Sequence, residues 1–123
     1  MLIQTAFLQP QLEAPWHFFN CTRYGLEVWF EGFERERLHV SDNFTANYSL
    51  SWLASECEAA LLRDVSPSAA EAFATAPTGH FVRFWRDPTT RDSPLWTDLR
   101  GLSETSQEAI AAGFEYVGRK PII

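Results

Sequence analysis

The fold prediction rests on residues 24–33, which read YGLEVWFEGF. Apolar residues alternate along this stretch, so that an extended chain would place Leu26, Val28 and Phe30 on one face. The opposite face would carry Glu27, Trp29, Glu31 and Phe33. A period of two residues is typical of a β-strand with one buried face. We therefore predict a strand whose second face mixes two carboxylates with two large aromatic rings.

The segments around this stretch extend the strand prediction. Further strands are predicted at residues 2–8, 17–24, 34–40, 80–86 and 114–117. In a hairpin that turns near Gly32, the basic residues Arg35, Arg37 and His39 would lie beside Glu27 and Glu31. Opposite charges on neighbouring strands pair with each other. Such pairing is the structural alternative to a binding role for the two glutamates.

Helical spacing and capping residues dominate the second half of the chain. From Asn47, apolar residues recur at helical intervals, namely Leu50, Leu53, Ala54, Cys57, Ala60 and Leu61. Ser66-Pro67 and Ser93-Pro94 each combine a capping serine with a proline suited to the first helical position. Ser103 is a further cap. We predict four helices, of which the second runs to about Thr75, the third stops at Gly101 and the last runs through Ala112.

The order of these elements sets the expected fold class. Strands come first, followed by two helices, one strand and two more helices. A segregated order of this kind favours an α+β domain, with a mainly antiparallel sheet of about four to six strands packed by about three or four helices. The length of 123 residues fits a single domain. Residues 118–123 are expected to form a tail.

Charge and composition restrict the partners and the compartment. Sixteen acidic and ten basic residues give a formal net charge of −6, which opposes binding to nucleic acid and favours a basic protein partner. No apolar run reaches the length of a membrane span, so no membrane association is expected. The first residues lack the basic region of a signal peptide, and Cys21 and Cys57 suggest free thiols, so we expect a cytoplasmic protein.

Glycosylation-type triplets begin at all three asparagines of the chain, Asn20, Asn43 and Asn47. Modification of these triplets requires export of the protein, so the expected cytoplasmic location would leave them unused.

Residues suited to catalysis are few. His17, His39 and His80 do not have the spacing of a metal motif, and the sequence contains no P-loop, dinucleotide or nucleophile-elbow pattern. Cys21 and His17 would lie about 13 Å apart in a strand, which is too far for direct proton transfer. The acid pairs Glu27/Glu31 and Glu34/Glu36 lie beside arginines that would keep them ionised. We therefore expect no metal or cofactor, and the sequence favours a protein without enzymatic activity.

The leading functional hypothesis is a small acidic binding protein. It would be an inhibitor, an immunity or antitoxin-type protein or an adaptor subunit, with Glu27, Trp29, Glu31 and Phe33 docking on a basic partner. The rival hypothesis is a small-ligand receptor or enzyme with a pocket between sheet and helices, lined by His17, His39, His80 and aromatic rings. A third alternative is a homodimer through the aromatic–acidic face.

Overall fold

The computed structural model describes residues 21–112 and 115–119, and in these residues the protein is helical. Six α-helices follow one another in these described residues: α1 (Arg23–Trp29), α2 (Ala46–Asp64), α3 (Pro67–Thr75), α4 (Thr78–Arg86), α5 (Pro94–Arg100) and α6 (Glu104–Ile110). Short 3-10 helices occupy Asp42–Phe44 and Pro88–Thr90. The described residues contain no strand. The predicted α+β class, with its mainly antiparallel sheet, is therefore wrong.

The helices that were predicted from caps are present. The Ser66 hydroxyl accepts a hydrogen bond from the Ala69 N–H at 3.1 Å and starts α3. Ser93 and Ser103 begin α5 and α6 in the same way. α2 follows Thr45, and α6 ends at Ile110, two residues before the predicted end. Capping serines identify helix starts well because their hydroxyls satisfy backbone N–H groups that have no partner within the helix.

The stretch 24–33 forms a helix and a turn instead of the predicted strand. Thr22 Oγ1 accepts a hydrogen bond from the Gly25 N–H at 3.1 Å, and this cap starts α1. The chain then turns, with the Phe33 N–H donating to the Phe30 carbonyl at 2.9 Å. The expected partner strand, residues 34–40, is irregular. Alternation alone did not produce a strand, because a strand also needs a neighbour for its backbone groups.

The segment 80–86, which was predicted to be a central strand, lies in α4. Phe81 and Phe84 are three positions apart and face inward, where Phe81 contacts Phe73 of α3 with 5.2 Å between ring centroids. Phe84 is buried and contacts Trp96 of α5, also with 5.2 Å between centroids. The aromatic and β-branched composition resembled that of a strand, but the helix allows both rings to pack on neighbouring helices, and packing overrides propensity.

The remaining strand predictions have two different outcomes. Strand 2–8 and residues 17–20 of the second strand lie outside the described residues, and Arg23 and Tyr24 of that second strand belong to α1. Residues 115–117 are described and are not a strand. Residues 118 and 119 are exposed and irregular. The single domain and the tail at 118–123 stay predictions.

A small core forms where α2 packs on α3, α5 and α6. It consists of Ala60, Leu61, Ala69, Ala70 and Leu102, with Phe73, Leu99 and Ile110 packed around it. Three of the five central residues are alanines, which let helix backbones approach closely because they have no side chain beyond Cβ. Among the described residues of the core, Leu61 is the only large one with no exposed surface at all. Leu61 therefore lies at the centre of the packing between α2 and its neighbouring helices.

In the described residues, no helix combines the length and the apolar character that crossing a bilayer requires.

We predict that Leu61→Ala lowers the free energy of unfolding by about 2–5 kcal/mol, the range observed when a buried leucine is replaced and a cavity remains. Urea unfolding followed by circular dichroism measures the change. Leu50→Ala is the matched control, because Leu50 lies in the same helix but is 64% exposed. Equal losses for the two variants would contradict the central place of Leu61.

Candidate functional site

The four residues predicted to contact a partner lie at the end of α1 and in the turn that follows. Glu27 and Trp29 belong to α1, whereas Glu31 and Phe33 belong to the turn. We call residues 27–36 the acidic–aromatic segment. The four residues therefore lie on a helix and the turn that follows it, and not on one face of a strand.

Glu27 is held by the protein's own arginines. Its Oε1 atom lies 2.7 Å from Arg35 Nη1 and 3.4 Å from Arg23 Nε. The expected contact between Arg35 and Glu27 is therefore present, although it closes a turn instead of joining two strands. All three side chains remain partly exposed to water, so each pair contributes only about 0–1 kcal/mol. Glu27 therefore helps to order the segment through its two ion pairs, and its contact with a partner stays a prediction.

The remaining members of the segment face solvent. Trp29 is 53% exposed and Phe33 is 62% exposed, so each residue keeps more than half of its surface open to solvent. Phe33 also contacts Phe30 edge-on, with 5.6 Å between ring centroids. Glu31, Glu34 and Glu36 are exposed, and no arginine in the described part of the chain forms a salt bridge with them. Two aromatic rings and three carboxylates are therefore displayed together.

Two of the three histidines named in the rival hypothesis lie in the described residues. His39 is exposed in the irregular segment after the turn, and His80 is exposed on α4, so neither lies in a strand. His17 lies outside the described residues. Within the described residues, no group of three or more histidine, cysteine, aspartate or glutamate side chains is placed to hold a metal ion.

The two cysteines are free thiols. Cys21 is buried, and its Sγ donates to the carbonyl of Thr22 at 3.4 Å. Burial, followed by the charge of Glu56, raises the pKa of the Cys57 thiol. A raised pKa leaves little thiolate at neutral pH, and the thiolate is the reactive form. The Cys57 environment therefore does not activate a nucleophile.

The best-formed polar cluster joins the end of α2 to the start of α6. Asp64 Oδ2 accepts hydrogen bonds from the Ser103 N–H at 3.0 Å and the Ser103 hydroxyl at 2.8 Å. Arg63 donates through Nε to Asp64 Oδ1 at 3.1 Å and through Nη2 to the buried hydroxyl of Ser106. The cluster connects residues 39 positions apart in the sequence.

These contacts also determine what Asp64 can do chemically. Hydrogen bonds from Ser106 and Ser103, together with the charge of Arg63, lower the pKa of Asp64 to about 2. A carboxylate with so low a pKa is a weak base near neutral pH. The cluster therefore fits a structural link between helices better than a catalytic serine site.

A second exposed aromatic surface was missed in the sequence. Val82 and Trp85 lie three positions apart on the outer face of α4, and Trp85 is 86% exposed. Arg83 and Arg86 are exposed beside them. This surface is basic, in contrast to the acidic–aromatic segment. Reading residues 78–86 with a period of 3.6 would have separated Phe81 and Phe84 from Val82 and Trp85, but the strand interpretation merged the two sets.

Comparison of the chain with protein-family models, with curated proteins and with solved structures gave no match. The functional interpretation therefore depends on the residues themselves.

We predict that acid weakens the link between α2 and α6. The folded-state pKa of Asp64, about 2, lies below its ordinary value of 3.8. The stabilisation is thus complete above pH 3.8 and is lost as the pH falls toward 2. In Asp64→Asn this part of the pH dependence should disappear from the free energy of unfolding, measured by denaturant titration at each pH.

Asp92→Asn serves as the control for the acid experiment, because no hydrogen-bond donor in the described part of the chain contacts the Asp92 side chain. An unchanged acid dependence in Asp64→Asn would show that other groups are responsible.

Proposed function

We propose that the protein is a small acidic binding domain that engages a basic surface of another protein through the acidic–aromatic segment. The observation that carries this proposal is the joint exposure of Trp29, Phe33 and three carboxylates in one short stretch. Surface tryptophan and phenylalanine are enriched at protein interfaces, where they act as anchors. Clustered carboxylates steer a positively charged partner toward them.

The local structure of the segment supports tight rather than diffuse recognition. The Arg35–Glu27 ion pair, the Phe30–Phe33 contact and the turn hydrogen bond from Phe33 to Phe30 limit its conformations before binding. A segment that is already ordered loses less entropy when it docks. Glu27 thus contributes by shaping the surface, whereas Glu31, Glu34 and Glu36 supply the charge.

The chemistry of the segment suggests the kind of partner. An aromatic anchor surrounded by carboxylates fits a shallow site lined by lysine or arginine, such as the basic site of an enzyme that acts on anionic substrates. An inhibitor, an immunity or antitoxin-type protein, or an adaptor subunit would mask such a site. The net charge of −6 opposes a nucleic-acid partner. The free thiols of Cys21 and Cys57 are consistent with the cytoplasm as the proposed compartment.

The alternatives receive less support. His39 and His80 are both exposed, so they do not line an enclosed pocket in the described part of the chain. A homodimer through the acidic–aromatic segment would bring like carboxylates together, which costs free energy. The basic protein partner is therefore the function that we propose.

We predict that Glu31→Arg combined with Glu34→Arg weakens binding to the basic partner about 10- to 100-fold, mainly by slowing association and reducing its salt dependence. The partner is first captured from native extract and identified by mass spectrometry. It is then produced recombinantly and titrated at two salt concentrations.

The matched control is Glu71→Arg combined with Glu108→Arg, which changes the net charge by the same amount on α3 and α6. Phe33→Ala tests the aromatic anchor without changing charge, and it should mainly accelerate dissociation. A captured partner that binds all four forms equally would exclude the acidic–aromatic segment as its docking site.

A further inference from the structure

α2, the longest helix of the described residues, has apolar residues on two opposite faces. The inner face carries Leu53, Ala54, Cys57, Ala60 and Leu61, all buried or half-buried. The outer face carries the exposed residues Tyr48, Trp52, Ser55, Ala59 and Leu62, which we call the outer stripe. A helix covered on one side only normally places charged residues outward. The outer stripe is uncharged, so this face differs from an ordinary solvated one.

The spacing of the outer stripe identifies what fits it. Its members are separated by four, three, four and three positions, which is the a/d pattern of a heptad repeat. A seam with this pattern packs against another helix, with side chains of each inserting between those of the other. The stripe from residue 48 to residue 62 is about 21 Å long at the helical rise per residue.

The large side chains of the outer stripe are exposed and could be buried by a second helix. Tyr48 is 54% exposed, Trp52 is 36% exposed and Leu62 is 56% exposed. The indole N–H of Trp52 already donates to Glu56 Oε1 of the same helix at 3.2 Å. Covering the ring would therefore leave no unpaired donor behind. Ser55 and Ala59, in the middle of the stripe, are small enough for a second helix to approach closely.

We propose that the outer stripe pairs in parallel with the outer stripe of a second copy of this chain. Charge complementarity identifies both the occupant and the orientation. The spacing places Ala59 at an a position and Leu62 at a d position, so that Glu58 is at g and Arg63 is at e. In a parallel pair, a g residue meets the e residue five positions later on the other helix, so Glu58 of one copy meets Arg63 of the other. The symmetry of the pair forms this contact twice.

Arg63 has a donor to spare for this contact. Its Nε and Nη2 atoms bind Asp64 and Ser106, but Nη1 has no partner in the described part of the chain, and the side chain is 62% exposed. An antiparallel pair centred on the stripe would instead bring Glu56 opposite Glu56 and Glu58 opposite Glu58. Like charges in those positions oppose pairing, so the parallel arrangement is favoured.

The expected dimer is weak. Two heptads bury less surface than the interfaces of permanent dimers. We therefore expect a dissociation constant for the dimer on the order of micromolar. The pairing uses residues that are distinct from the acidic–aromatic segment. A dimer would present two copies of that segment, and a partner with two basic sites would then bind more tightly than one with a single site.

Sedimentation velocity from low to high micromolar concentration tests the pairing in the full-length protein. The mass should rise toward that of a dimer in the wild type and remain that of a monomer in Ala59→Arg, which places two cations against each other in the seam. Arginine favours helix, so α2 should still form in this variant. Leu50→Arg is the matched control, because it adds the same charge to α2 away from the outer stripe and should dimerise like the wild type.

Single cysteines test the orientation. Parallel pairing brings position 55 of one copy opposite position 55 of the other, so Ser55→Cys should form a disulfide-linked dimer on mild oxidation. In the centred antiparallel pair, position 55 would meet position 59, so that only a mixture of Ser55→Cys and Ala59→Cys would cross-link. Cross-linking in the mixture alone would overturn the parallel assignment.

Three outcomes would overturn the pairing itself. One is a wild-type protein that stays monomeric at every concentration. Another is a dimer that Ala59→Arg and Leu50→Arg affect equally, because it would use a different surface. The third is a monomer that binds neutral phosphatidylcholine vesicles and loses this binding in Ala59→Arg, which would assign the outer stripe to a lipid surface.

Discussion

Close contact between α2 and α3 through small side chains is the constraint on which the described structure depends. Ala60 on α2 and Ala69 and Ala70 on α3 are buried around Leu61, and their size sets how near the two helices lie. A larger residue at any of these positions would have to push the helices apart, because protein interiors have little free volume. α5 and α6 then pack against α2 as well, so their positions follow from this first contact.

The core formed by the described residues is small, and much of their apolar surface remains outside it. Tyr48, Trp52 and Leu62 lie exposed on α2, Trp85 lies exposed on α4, and Trp29 and Phe33 lie exposed near α1. Each group is bordered by charge of a different kind: mixed around α2, positive around α4 and negative around α1. Exposed apolar groups of this kind are common at sites of interaction with other molecules. The proposed binding of a basic partner and the proposed pairing of α2 both use such groups.

The sequence was most informative where one local interaction determines the structure. Ser66, Ser93 and Ser103 marked helix starts because each hydroxyl caps the helix that follows it, independently of the rest of the fold. The sequence was misleading where tertiary contacts determine the secondary structure. In α4, Phe81 and Phe84 find partners on α3 and α5, and no local pattern reveals those partners. Residues 24–33 alternate like a strand, yet the Thr22 cap starts a helix there, and the part of the chain that the structure describes offers no neighbouring strand.

The site was predictable to a similar degree. Trp29 and Phe33 are exposed, but their contact with a partner stays a prediction. Arg35 contacts Glu27, as the structural alternative to binding indicated, although the pair closes a turn instead of joining two strands. The outer stripe of α2 was not recognised, because a search for one core face accepts one set of apolar positions and ignores the other. Leu50 also could not be placed from spacing alone. It fits the pattern of the inner face, but it lies near the start of α2 and is exposed.

The link between Asp64 and Ser103 has a consequence for how the chain reaches its native state. The contacts of α2 with α3 join neighbours in sequence, so they close only a short loop, whereas the Asp64–Ser103 link closes 39 positions. Local contacts form earlier than distant ones when both are of similar strength. We therefore expect the α2–α3 pair to form first and α6 to dock on α2 later.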